Sequence, residues 1–397
     1  MGLIATLRQW ARAEENVRAD APGEARGYAG GTLVFSGAGT GPGTERTYGG
    51  LARSGFMGNP VVYRSVRLIA ENAAAVPLLL YNGAKEVETH PILTLLRRPN
   101  GFEDGAALVE ALCGHLLLSG NAFIEAGGEG TPRALYALRP DRVRVVEGRD
   151  GWPEGYEHRA GGTVRRLPAE GEGARAGPLL HIRLFHPLAD TDGFAPLAAA
   201  RGALDLHNSA GRWNQALLEN SARPSGALVY QPGDGGNLSP DQFDRLKAEL
   251  ESGYTGARAG RPMLLEGGLD WKAMALSPRE MDFIEAKNQA ARDIAVAFGV
   301  PPMLLGIPGD NTYANYAEAN RALFRLTVLP LLNRLTRTIG DWLADLHGEA
   351  GRLRLGFDAD RIEGLSAERE ALWSRVGAAG FLTEDEKREA VGYGPRG

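Results

Sequence analysis

Apolar residues recur every three to four positions in several stretches of this chain, the spacing that gives a helix one buried face. Val62, Val66, Ile69 and Ala73 form one such stripe, opening at Asn59 and closing near Pro77. A second helix is predicted from Asp104 or Gly105 through Leu118, an apolar run that holds Cys113. Ile284, Ala291, Ile294 and Phe298 mark a third, with Ser277 as N-cap, Pro278 at the first helical position and Glu280 placed for a capping box. Gly299, Pro301 and Pro302 stop it, because glycine accepts a left-handed turn and proline supplies no N–H. Leu335, Ile339, Trp342, Leu343 and Leu346 share one face of a long helix predicted over Asn315 to His347, and Pro330 is expected to kink or break it.

Short strands alternate with these helices. They are predicted at Leu78 to Tyr81, Asn121 to Glu125, Ala134 to Leu138, Val143 to Val146 and Leu179 to Leu184, which makes an α+β body. Pro196 to Ala222 reads as one long helix. Its Leu197, Leu204, Leu217 and Leu218 are interrupted by Asp205, His207, Asn208, Arg212, Asn214 and Gln215, so no continuous apolar stripe is expected, as in a helix packed against copies of itself in a polar ring. A small unit follows: a strand at Ala227 to Tyr230, a turn at Gly233 to Gly236, a helix capped by Ser239 with Pro240 and Gln242, and strands at Met263 to Leu265 and Trp271 to Met274. Near the C-terminus, helices are predicted over Ala367 to Val376 and Thr383 to Ala390, the latter with a Thr383/Glu386 capping box. Residues 1–55 are glycine-rich with Pro22 and Pro42, and are expected to be flexible; their SGAGTGPG run lacks the spacing of a phosphate-binding loop.

Composition narrows the classes. A chain of 397 residues, 43% hydrophobic and 23% charged, has the balance of a globular protein with two or three domains. Its apolar stretches, such as Ala73 to Tyr81 with Pro77 inside it, fall far short of the roughly 20 residues that cross a bilayer, and MGLIATLRQW lacks the pattern of a secretory leader. One cysteine permits no internal disulfide and no thiolate metal cage. A formal charge of −5 and only five scattered lysines argue against a protein that grips duplex DNA through a basic stripe. His181 and His186 sit on a predicted strand with their side chains on opposite faces, unlike a metal pair. Asp190, Asp192 and Gly193 have the opening of a calcium loop, but Arg201 stands where its glutamate belongs, so a plain turn is expected. No Walker pair, nucleophile elbow or HExxH is present, and neither a cofactor nor a metal is expected.

The order of short motifs carries more. Trp271, the capped helix with Glu285, Ala286 and Lys287, then Gly299-Val300-Pro301-Pro302, Leu305-Gly306, Tyr313 and Asn315 resembles the portal proteins of siphovirus-type tailed phages. The resemblance continues upstream in His90-Pro91, Arg98-Pro99-Asn100, Gly120-Asn121-Ala122, Leu135-Tyr136, His181-Ile182-Arg183, Asp192-Gly193 and Pro224-Ser225-Gly226, and covers about residues 59–392. It implies a portal fold. After a flexible segment at 1–55 come a wing at 56–195, a first stem helix at 196–222, an α/β clip at 223–276, a second stem helix at 277–299, a tunnel loop at 300–314, a long kinked wing/tunnel helix at 315–350 and a short crown at 351–397.

The same resemblance implies a dodecameric ring at the unique vertex of a capsid, assembled in the bacterial cytoplasm, through which double-stranded DNA is packaged and later ejected. Its partners would be other copies of the chain, the major capsid protein, the large terminase, a head-completion adaptor and weakly held DNA, with no membrane involved. A small crown and an arginine-heavy composition lean toward the portal of an alphaproteobacterial gene transfer agent. Ile307, Pro308, Gly309, Asp310, Asn311, Thr312 and Tyr313 would line the narrowest part of the pore, and mild acidity would keep the duplex off the wall. The clip helix offers Asp241, Asp244, Arg245, Lys247, Glu249 and Glu251 as a docking surface, or as a merely solvated face. Two other readings remain open: a homo-oligomeric scaffold that passes no DNA, and a metal-dependent nuclease using Asp205, Glu285 and Asp310.

Overall fold

The computed structural model describes residues 47–392 apart from 84, 129–130, 172–175, 220–225, 231–238, 240, 243, 246–268, 274–282 and 309–312. Chain order begins with α1 (Tyr48–Leu51), a π-helical turn (Ala52–Met57) and α2 (Pro60–Ala74). Tyr48 to Gly55, read from sequence as flexible, is therefore helical, and Leu51 and Gly55 are buried. Gly55, one of the glycines that suggest a linker, is there for clearance: a Cβ on it would stand 2.7 Å from Leu197 Cδ2. Asn59 caps α2 as expected, with its Oδ1 accepting from the Val61 and Val62 N–H groups, and Val62, Val66, Ile69 and Ala73 all face the core.

Next come β1 (Leu78–Asn82), β2 (Lys85–Glu86), α3 (Pro91–Arg97), α4 (Gly105–Ser119), β3 (Asn121–Gly127), β4 (Ala134–Leu138), β5 (Val143–Glu147), β6 (Pro153–Ala160), β7 (Thr163–Pro168) and β8 (Leu179–Arg183). The strands pair antiparallel as β4-β3-β8 and β5-β6-β7. The β6–β7 hairpin is absent from the sequence reading because its faces are mostly charged. Its signal was the turn: Gly161 and Gly162 both have positive φ, as a two-residue hairpin loop with the sheet's twist requires. The Arg98-Pro99-Asn100 motif ties α3 to the sheet, since the Leu135 N–H donates to the Pro99 carbonyl and Asn100 Nδ2 donates to the Leu135 carbonyl at 3.0 Å.

The later elements are α5 (Pro196–Ala199), α6 (Arg201–Glu219), β9 (Gly226–Tyr230), β10 (Leu269–Ala273), α7 (Phe283–Phe298), α8 (Tyr313–Leu323), a π-helical turn (Phe324–Val328), α9 (Leu329–Leu346), β11 (Leu353–Phe357), α10 (Ser366–Ala378) and α11 (Glu384–Ala390). The long helix expected from Pro196 is broken at Ala200, whose ψ of 3° turns the chain between α5 and α6. The break expected at Pro330 falls just before it, in the π-helical turn, so that Pro330 lies in the first turn of α9, where its missing N–H costs nothing. β11 is another strand the sequence reading lacks. It pairs with β1, Leu355 opposite Leu80, and Arg354 lies over the Tyr81 ring at 4.4 Å.

One core runs through α2, α3, α4, β1, β3, β11, α9 and the end of α7. Cys113 is fully buried in it, and burial pushes its thiol up to about 12, so it behaves as a small apolar side chain. The Thr383/Glu386 capping box forms as expected. Among the described residues no helix is long and apolar enough to cross a membrane.

Candidate functional site

The resemblance places function on the segment from Pro196 to Tyr313, and the structure builds it as a two-helix arm. α6 and α7 pack along each other. The start of α6 is bonded to the body through His207 and Asn208, while Ile294 and Phe298, at the end of α7, enter the body's core. The helices therefore run antiparallel, one leaving the body and one returning. Between them in the chain, β9 and β10 form an antiparallel ladder, Gly226 opposite Ala273 and Tyr230 opposite Leu269. The Ser277 cap and the strand at Met263 to Leu265 fall outside the described residues.

α6 carries a buried stripe in which a histidine stands between apolar residues, so it is not continuously apolar. Leu204, His207 and Ala210 continue inward from Leu197 and Ala200, at spacings of three and four. An imidazole and two alanine methyls complete what leucines begin, which a hydropathy pattern does not register. The other side of the arm exposes Leu206 and Arg212 on α6 and Ile284, Glu285, Gln289, Asp293 and Val296 on α7.

Two turns root the arm in the body. Gly193 N–H donates to Asn121 Oδ1 at 2.9 Å, and the same oxygen accepts from His181 Nε2–H at 2.9 Å. Asp192 takes a hydrogen bond from Asn121 Nδ2, so the Asp190-to-Gly193 stretch is a turn held by the Gly120-Asn121 motif. His181 lies on β8, stacked on Phe123 at 4.3 Å, whereas His186 lies beyond the strand, so the two do not share an element as expected. At the other root Gly299, with φ of 67°, ends α7: its N–H bonds to the Val296 carbonyl and the Val300 N–H to the Ala295 carbonyl, a Schellman closure.

The loop after α7 turns inward at Ile307. A tight turn over Pro302–Leu305 and Gly306 folds the chain back, and Ile307, 6% exposed, packs on Ala291 and Ala295 of α7. Its side chain is thus turned toward α7 within the chain. The Pro308 carbonyl accepts from Arg292 Nη2, and Thr327 Oγ1 donates to the Gly299 carbonyl at 2.6 Å, so the loop is pinned as far as Pro308. Pro308 is exposed, Tyr313 opens α8, and Gly309, Asp310, Asn311 and Thr312 lie outside the described residues.

Of the expected docking surface, Asp241, Asp244 and Arg245 are exposed. Ser239 and Gln242 form the predicted reciprocal cap, with the Ser239 N–H donating to Gln242 Oε1 at 2.9 Å and the Gln242 N–H to Ser239 Oγ at 3.3 Å. Lys247, Glu249 and Glu251 lie outside the described residues. Among the described residues, no three His, Cys, Asp or Glu side chains are gathered as a metal would need.

Comparison with known proteins fits this geometry. The family described as phage portal protein matches residues 60–392. A chain in the neck of an empty gene transfer agent (GTA) particle, computed with C6 symmetry, is similar at 53% identity and a TM-score of 0.70, over 88% of this chain and 94% of that one. One in the neck of a native GTA particle, computed with C12 symmetry, is similar at 52% identity and a TM-score of 0.67 with the same coverage. The probable portal protein of Streptomyces phage phiC31 is 29% identical over 84% of this chain and 74% of its own length.

Proposed function

This chain belongs to the phage portal protein family, and we propose on that footing that twelve copies of it close into a ring at one capsid vertex, through which double-stranded DNA is packaged and later released. It is a structural protein and not an enzyme. The observation that carries the reading is the arm: paired antiparallel helices rooted in an α+β body, with a β ladder in the segment of chain between them. Its similarity to chains in GTA necks, one of them computed with C12 symmetry, supports both the twelvefold ring and a gene transfer agent as the particle.

In this reading the body up to Ala195 is the wing that meets the capsid protein. α6 and α7 are the stem, the segment between them is the clip, and the residues after β11, which pairs with β1 in the body, form a short crown. Residues 300–314 are assigned as the tunnel loop, and the turn pinned as far as Pro308 serves as its mount. A net charge of −5 per chain suits a wall past which DNA must slide, because each firm phosphate contact would be a barrier to movement.

Purified protein imaged by electron microscopy is expected to show rings with an open axial hole. Deleting Pro308 to Thr312 should leave those rings intact while lowering the DNA retained per particle. A closed disc, or a chain that stays monomeric within the particle, defeats the portal reading; unchanged DNA retention defeats only the loop assignment. The exposed Asp241 and Asp244, with Glu249 and Glu251, are the surface we assign to terminase and adaptor docking. Replacing all four by lysine should weaken capture of those partners in a pull-down from intact rings, and equal capture would remove the clip helix from the docking surface.

A further inference from the structure

Asn59 is 1% exposed, and every hydrogen-bonding capacity of its side chain is used. Its Oδ1 accepts from the Val61 N–H at 3.0 Å and the Val62 N–H at 3.2 Å, which caps α2 in the body. Its Nδ2 donates to His207 Nδ1 at 2.9 Å and to Asn208 Oδ1 at 2.7 Å, both on the arm helix α6. Asn208 continues the chain, its Nδ2 donating to the Ser54 carbonyl at 2.9 Å in the first π-helical turn. That turn is itself pressed against the root of the arm where Gly55 meets Leu197.

The rest of the grip on α6 is of a different kind. Leu204 and Ala210 contribute apolar burial, which is strong but non-directional and tolerates a helix rotating or sliding against its neighbour. Hydrogen bonds to two successive residues of one helix weaken steeply when the angle changes, so they fix what burial leaves free. An amide satisfied on all four sides has one orientation, set from the body by the α2 cap. We infer that Asn59 is a latch that sets the direction of the arm helix Arg201–Glu219 on the body, with His207 and Asn208 as its keepers.

His207 is suited to that role. Burial, with the Lys287 ammonium second, holds its pKa below the usual histidine value, so the ring is neutral and Nδ1 keeps the lone pair that receives the Asn59 N–H. In a ring of the kind proposed, identical latches would give every arm one angle and the channel one bore. The latch nevertheless belongs to the single chain, and it stands or falls separately from the ring.

The test uses the full chain with spin labels on Arg64→Cys, on the exposed side of α2, and Arg212→Cys, on the exposed side of α6. Buried Cys113, its thiol pushed up to about 12, takes no label. Labelled protein is mixed with excess unlabelled protein so that distances within one copy are read. The parent is expected to give one narrow distance distribution. Asn59→Ser keeps an oxygen for the cap but loses both N–H donors, and His207→Leu removes the acceptor; both should lose the single narrow peak. His207→Asn returns an acceptor near the Nδ1 position and should restore it. A peak that stays narrow in His207→Leu, or that His207→Asn does not restore, overturns the inference. If Asn59→Ser fails to fold by circular dichroism, the two His207 variants decide alone.

Discussion

Lowering the pH from 7 to 5 is expected to remove roughly 4 kcal/mol from the unfolding free energy of this chain, about half of it through His115 and half through His181. Burial first of all pushes each pKa from 6.5 to about 4. Tyr48 OH and His115 Nδ1 are hydrogen-bonded at 3.1 Å, a contact the hydroxyl can keep as donor or acceptor, so the cost of a proton on the ring is the burial of its charge. His181 uses Nε2–H on Asn121 and lies between the Phe123 face and the Tyr156 edge, with Arg183 adding repulsion. Because the folded pKa lies below the unfolded one, the unfolded chain binds more protons between about 6.5 and 4. Stability is thus full above that window and declines as the pH falls through it. His158 and His207 are shifted the same way, chiefly by burial, and add to the trend. Urea titrations at pH 7 and pH 5 measure the loss. His181→Phe should remove about half of it and His181→Phe with His115→Leu most of it; a pH dependence that survives both substitutions would refute the assignment.

The second large effect is expected at the crossing of Gly120 and Gly193, where two backbones meet at the root of the arm. A Cβ on Gly193 would stand 2.0 Å from the Gly120 carbonyl oxygen, and one on Gly120 would stand 2.4 Å from the Gly193 carbonyl carbon. Gly120 also ends α4 with φ of 79°. Neither neighbour is a flexible side chain, so the turn must lift away from β3 and strain the Gly193 N–H bond to Asn121. Gly193→Ala and Gly120→Ala should each cost roughly 3 kcal/mol, from overpacking and, at Gly120, left-handed strain as well. Gly151→Ala is the control: φ there is 84°, but a methyl would meet nothing within 4 Å, so only the backbone strain of about 1 kcal/mol applies. Thermal or urea unfolding of the three variants checks this, and equal losses in all of them would mean that contact at the crossing contributes nothing.

Caps and helix faces were legible before any coordinates. Asn59, Asp104 and Thr383 each bond the backbone within three residues of themselves, so the pattern that predicts them is complete in a short window. The hairpin Pro153–Ala160 with Thr163–Pro168 was hidden because its first strand buries only Gly155, Tyr156 and His158, which make no period-two apolar signal, although its Gly161-Gly162 turn was in view. The strand Leu353–Phe357 alternates clearly but lies at the far end of the described chain from its partner, and nothing local says which edge it joins. At the candidate site, the Gly299-Val300-Pro301-Pro302 stop was read correctly as a firm turn. That the turn folds back far enough to bury Ile307 on Ala291 and Ala295 was not legible, since an isoleucine beside glycines and prolines suits either a loop tip or a pocket.

The amino-acid order alone thus settled the caps at Asn59, Asp104 and Thr383, the stop at Gly299 and the family, all of which rest on neighbours within a few positions or on the succession of short motifs. Only folding in three dimensions decided that an alanine and an imidazole complete the inner face of the arm, and that one asparagine in the body holds that arm by two successive residues. Helix hydrogen bonds join residues four apart and can be read along the chain. The shape of a packed interface depends on which distant faces meet, and a one-dimensional pattern of polarity does not record that.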